Sequence, residues 1–192
     1  MIALLLLACR EPVFEPAPAI EETGYLDAAR ISWTRGGDAD PLWIVGEPGA
    51  AGPGEVVAFD RADELDRIAV SADGTFVLEV VASVGTIVEV QQGDAEPVEV
   101  AVASLPAFPD AEPLVLHAPD GEGLVAIEIA LLLPYPDLRL VASAPHSGEV
   151  TSLASADGHR FTGHLSASSG EMLNVHAVGV AGPTASVGDL VP

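Results

Sequence analysis

Five histidines, one cysteine and an excess of carboxylates are the side chains here that could bind a metal or move a proton. The histidines are His117, His146, His159, His164 and His176. A histidine metal site needs three or four converging ligands. No His-x-His or His-x-x-x-His spacing occurs, and only a pairing of 159–166 with 172–180 would set His164 beside His176. Asp38 and Asp40, and further on Asp110 and Glu112, lie in oxygen-rich loops of the kind calcium prefers, although no Asp-x-Asp-x-Asp-Gly run is present. Calcium is thus the one cofactor for which the sequence supplies candidate ligands. The serines lack a Gly-x-Ser-x-Gly elbow, so no hydrolase nucleophile is marked out. The lone cysteine, Cys9, excludes an intrachain disulfide and a zinc cluster of cysteines. No lysine is present, which removes phosphate-loop, Schiff-base and Ser-x-x-Lys chemistry. Taken together, these residues predict a protein that is not an enzyme, with a small hydrolase as the remote alternative.

The charge points the same way. The chain carries 29 acids against 7 bases, a formal net charge of −22. Phosphate backbones would repel such a surface, so nucleic acid is excluded as a partner. Hydrophobic residues make up 49% and aromatic residues 5%. That is enough for real cores, but cores of Val, Leu, Ile and Ala. With 19 glycines and 16 prolines, the composition favours strands and turns over helices.

The run Met1-Ile2-Ala3-Leu4-Leu5-Leu6-Leu7-Ala8 ends at Cys9. It is too short to span a bilayer, which takes about 20 residues. Leu6-Leu7-Ala8-Cys9 resembles the lipobox of bacterial lipoproteins. That resemblance implies a diacylglycerol thioether on Cys9, cleavage after Ala8, and a cell-envelope location, with the outer membrane or cell surface favoured. The first residues lack the usual basic start of a signal, so an upstream start is an open alternative. Residues 10–22 are rich in proline and glutamate and read as an extended tether behind the anchor.

The remainder repeats itself. Ser71-Ala72-Asp73-Gly74-Thr75-Phe76 returns as Ser155-Ala156-Asp157-Gly158-His159-Arg160-Phe161. Ala82-Ser83-Val84-Gly85 returns as Ala167-Ser168-Ser169-Gly170, and 87–90 as 172–175. Upstream, 42–45 is matched to 138–141, and 54–57 to 148–151. Each copy alternates apolar stretches with turns every ten residues or so, the pattern of a sandwich or barrel. Asp73-Gly74 reads as a hairpin turn joining 67–71 to 75–81, and 61–66 as one helical turn. Phe76, Leu78 and Val80 share one face of their strand. Trp33 and Trp43 stand near the start of the first copy. Exposed, they would stack on sugars or a partner; buried, they would belong to a core or strand edge.

The repeated Ala-Asp-Gly-(x)-Phe element resembles bacterial immunoglobulin-like and carboxypeptidase-regulatory-like modules. The resemblance implies an all-β fold of two small antiparallel sandwiches, with Phe76 and Phe161 entering the cores. The expected plan is a signal peptide at 1–8, a tether at 9–24, sandwiches at 25–104 and 114–192, and a linker at 105–113. The expected role is a non-catalytic envelope lipoprotein, held to a membrane by its lipid and meeting a protein or glycan. A calcium-stabilised spacer is the alternative.

Overall fold

A computed structural model describes residues 24–37, 40–179 and 182–192. The expectations for the signal, for Cys9, for the tether up to residue 23 and for Asp38 therefore fall outside the described residues. Among the described residues a 3-10 turn, Ala28–Arg30, precedes fifteen strands. The first copy holds β1 (Ile31–Thr34), β2 (Leu42–Gly46), β3 (Glu55–Asp60), β4 (Asp63–Ala69), β5 (Phe76–Val80), β6 (Ile87–Gln91) and β7 (Val98–Ala101). The second holds β8 (Val115–Leu116), β9 (Leu124–Ala130), β10 (Arg139–Ala144), β11 (Glu149–Leu153), β12 (Arg160–Ser166), β13 (Met172–Gly179), β14 (Gly182–Pro183) and β15 (Val187–Leu190).

The chain is all β, in two antiparallel Ig-like sandwiches. The sheet β1-β2-β5 faces β4-β3-β6-β7, and β12-β9-β8 faces β11-β10-β13 with β14 and β15 both on β13. The two copies share one topology, three strands against a larger sheet. This alignment corrects two of the sequence matches. Residues 42–45 (β2) correspond to β9 and not to 138–141, and 54–57 (β3) correspond to β10 and not to 148–151. Both mismatches slipped by one strand because Val-rich strands look alike. The three matches from residue 71 onward fall on equivalent elements.

Alternation accounts for the cores. Phe76, Leu78 and Val80 are buried with Leu42, Ile44, Val56, Ala58, Val88 and Val90. Phe161 and Leu165 join Val125, Ile127, Ile129, Leu140, Leu173 and Val175. The proline-rich stretch is no free spacer: Phe108 and Ala111 pack on the second core.

The repeated Ser-Ala-Asp-Gly element is not a hairpin, because β4 pairs with β3 whereas β5 pairs with β2 in the opposite sheet. It is a crossover clamped onto the preceding loop. Gly74 has φ +87° and Gly158 φ +69°. A Cβ on Gly74 would lie 2.8 Å from the Ala51 oxygen, and one on Gly158 would lie 2.7 Å from Pro136 N. Gly49 N donates to the Asp73 oxygen, and Tyr135 N to the Gly158 oxygen. Asp157 Oδ1 accepts from the His159 and Arg160 amides, which hold its carboxyl below the usual carboxylate range. Residues 61–66 form no helical turn. Asp60 pairs with Asp63 across a tight turn in which Arg61 has φ +58°, and the rest is strand.

Candidate functional site

The feature that sets this pair of sandwiches apart lies between them. Strands β2 and β10 bury both faces: one lines its own core and the other meets the neighbouring domain. Val45 and Val77 of the first sandwich pack on Val141 and Val150 of the second, with Trp43 and Val178 at the margin. Sheet β1-β2-β5 thereby lies on sheet β11-β10-β13, giving four layers in all. This is why Leu42-Trp43-Ile44-Val45 and Leu140-Val141-Ala142 read as unbroken apolar runs without polar alternation.

Polar pairs frame the valines. The Ser32 hydroxyl and His176 Nε2 share a hydrogen bond of 2.8 Å. Glu47, 3% exposed, accepts from the Ser152 hydroxyl at 2.6 Å through Oε2 and pairs through Oε1 with Arg139 Nη2 at 2.8 Å. Arg139 Nη2 also reaches the Ala29 oxygen at 3.4 Å. The Thr34 hydroxyl donates to the Thr184 oxygen at 2.9 Å. The break between β14 and β15 makes that contact possible. Thr184 N still donates to the Ala177 oxygen of β13, but 185–186 turn away, so that Ala185 N donates to the Pro106 oxygen and Ser186 N to the Arg35 oxygen. Linker, first domain and second domain thus meet at three consecutive residues.

His176 is completely buried. Burial, followed by the charge of Arg139, lowers its pKa from 6.5 to about 3, so the ring is neutral. A serine beside a neutral histidine is the beginning of a nucleophile pair. Catalysis would further require access and a third group orienting the ring. Here Ser32 is 4% exposed and His176 0%, and Nδ1 has no hydrogen-bond partner among the described residues. The pair is built to hold two domains together. Buried polar pairs supply little net stability and much geometric selectivity, so the valines drive the docking and the polar pairs fix its register.

The other candidates are dispersed. Strand β12 pairs with β9 while β13 pairs with β10, so His164 and His176 are not neighbours, contrary to the sequence expectation. His164 lies on the outer face of the small sheet and His176 in the seam. His117 Nε2 stands 3.5 Å from Glu128 Oε1, both well exposed. Asp40 is exposed in the β1–β2 loop. Asp110 and Glu112 are exposed where the chain enters the second sandwich, and Glu112 shares a shallow depression with Glu128 and Arg160. Among the described residues, no three His, Cys, Asp or Glu side chains are grouped to hold a metal ion. Trp33 packs, partly buried, on the first core, and Trp43, also partly buried, against the seam. The seam itself escaped sequence reasoning. Its one visible signal was polar residues in the strands that form it, Ser32 in β1 and His176 in β13, with Glu47 just past the end of β2.

No family model matches the chain, and no curated protein does. Among solved structures, the chain is similar to a two-domain fibronectin type-III segment of chicken tenascin. That match has 11% identity and a TM-score of 0.27, and covers 87% of this chain and 98% of that one. It is also similar to the FN1–FN3 domains of chicken CNTN1, at 11% identity and a TM-score of 0.28, over 84% of this chain and 65% of that one. A third likeness, to pullulanase type I of Bacillus subtilis, has 10% identity and a TM-score of 0.24, and covers 77% of this chain and 23% of that one.

Proposed function

We propose that this chain is a non-catalytic envelope lipoprotein whose two Ig-like sandwiches form one rigid unit that presents its free surfaces to a partner. The fold fits an interaction or spacer module. The observation that carries the reading is the seam. Two sheets that could each have faced solvent are instead closed against each other around four valines and held by Ser32–His176 and Glu47–Arg139. A rigid pair holds its loops at fixed separations, which lowers the ordering cost of a two-point contact. With both tryptophans packed, the reading favours a protein over a glycan as partner.

The anchor rests on the sequence alone, on Leu6-Leu7-Ala8-Cys9 and the Pro/Glu-rich stretch behind it. Two acyl chains at Cys9 would give stable attachment, at about 0.8 kcal/mol per buried CH₂. Intact mass and membrane fractionation of wild type and Cys9→Ala, expressed in a bacterial host, test this part. A lipid-sized mass gain with loss of 1–8, absent in the variant, supports it; an unmodified soluble chain overturns it. Spin labels, one on each sandwich, test the rigid unit. One narrow interdomain distance is expected, and a broad distribution would remove the reading.

A further inference from the structure

The second sandwich carries an apolar tip that its own fold does not require. The β9–β10 connection contains Leu132, Leu133, Pro134, Tyr135 and Pro136 in succession. Leu132 is 59% exposed, Leu133 63% and Tyr135 39%. Single exposed apolar residues are ordinary, whereas a contiguous group marks an interaction site. The equivalent β2–β3 connection of the first sandwich, residues 47–54, reads Glu-Pro-Gly-Ala-Ala-Gly-Pro-Gly. It has no large apolar side chain, and Ala50 and Ala51 are tucked into the core. The same architecture is therefore built without such a tip, and a folding role does not explain it.

The loop is also fixed in place. Leu131 N donates to the His159 oxygen, Leu132 N to the Asp110 oxygen and Tyr135 N to the Gly158 oxygen, each at 2.8 Å. Leu138 N closes the turn onto the Tyr135 oxygen at 3.1 Å. Pro134 and Pro136 fix their own φ angles. Preorganised apolar and aromatic anchors of this kind dominate protein interfaces because little freedom is lost on binding.

The charge around the tip identifies the partner's chemistry. Exposed Asp110 adjoins it through its backbone oxygen, which accepts from Leu132 N, Asp157 precedes the Gly158 that accepts from Tyr135 N, and Asp137 follows it in sequence. The nearby Arg160 lies with Glu112 and Glu128. Anionic lipid headgroups would be repelled by this rim, whereas lysines or arginines around an apolar pocket would complement it.

We propose that Leu132, Leu133 and Tyr135 anchor a protein-docking site, whose partner offers an apolar pocket rimmed by lysine or arginine. This rests on reading the chain as a non-catalytic interaction module. The probe is a synthetic peptide alternating leucine and lysine, titrated into the ¹⁵N-labelled full chain. The expected result is amide shifts confined to 131–138 and the adjoining 157–159, with affinity falling at least about tenfold in Leu132→Ser/Leu133→Ser, a change that leaves charge untouched. The Ser32 and His176 resonances report that the variant keeps its seam. Shifts spread over the acidic strands of the first sandwich, with the double variant binding as wild type does, would reduce the effect to general charge attraction and overturn the site. Absence of loop shifts at millimolar peptide would also overturn it. So would tip-dependent co-sedimentation with phosphatidylcholine vesicles, which would assign the tip to a membrane. Failure with a narrow interdomain distance removes the docking site alone; a broad distance distribution removes the rigid-module reading itself.

Discussion

Ser32 Oγ and His176 Nε2 meet at 2.8 Å, although 144 positions separate them in the chain. They join the first strand of one sandwich to a central strand of the other, at a point with no solvent access. The imidazole is neutral there, and that state has a thermodynamic consequence.

The folded pKa of His176, about 3, lies below its ordinary 6.5. Between those values the unfolded chain binds a proton that the folded chain does not. Stability is therefore complete above about pH 6.5 and falls as pH drops towards 3, by up to about 1.4 kcal/mol per pH unit from this group. Glu171 adds to the trend. Burial would raise its pKa, but the Ser168 and Ser147 donors outweigh that and the net direction is down. Urea unfolding from pH 7 to 4 should show the slope, and His176→Gln should shallow it by close to one proton. An unchanged slope in the variant would mean that the ring is solvated in solution.

Glu47 should couple to Ser152 across the same seam. Glu47→Ala leaves the Ser152 hydroxyl and the Arg139 guanidinium without their carboxylate, at a cost of about 1–3 kcal/mol. Because 41% of the Arg139 side chain is exposed, water recovers part of its loss and the lower end is expected. A double-mutant cycle of Glu47→Ala with Ser152→Ala should return a coupling of about 1 kcal/mol. A coupling of zero would show that the two sandwiches do not hold this contact.

Much of the architecture was legible because β-sandwich cores follow a period of two. Phe76, Leu78 and Val80 announced their shared face, and the repeated Ala-Asp-Gly-(x)-Phe announced two copies. The seam was not legible. Val45 and Val77 look like any strand valine, and which outer face is covered depends on docking with Val141 and Val150, which lie far along the chain in the other sandwich. The hairpin reading of Asp73-Gly74 failed for a related reason: a positive-φ glycine after aspartate marks a turn, but not which sheet the chain enters next. Trp43 illustrates the limit for sites, since nothing local separates a seam tryptophan from one that stacks on sugar.

Charge placed in the valine cluster should part the sandwiches without melting them. Val45→Asp and Val141→Asp each put a carboxylate on a face that carries no core residue of its own domain, among Val77 and Val150. An unpaired buried charge is intolerable there, and separating the domains relieves it. Small-angle scattering should show a larger radius of gyration while circular dichroism keeps its β signal. If the spectrum collapses instead, the two cores do not stand apart from the seam.

The repeated glycines should rank by what surrounds them. Gly74, Gly158 and Gly170 all have positive φ, but a Cβ on Gly170 would meet nothing within 4 Å. Gly170→Ala should therefore cost only the left-handed backbone, roughly 1–2 kcal/mol. At Gly74 and Gly158 the new methyl presses on the backbone of the neighbouring loop, Ala51 and Gly49 in one copy and Tyr135 and Pro136 in the other. Both should cost clearly more, about 2–4 kcal/mol with the backbone forced aside. Gly158→Ala should also displace the loop that holds Leu132 and Leu133 outward, weakening the leucine–lysine peptide. Gly74→Ala should leave that binding untouched at temperatures where the chain stays folded. Equal melting losses at all three positions would refute the clamp and show that backbone conformation alone sets the cost.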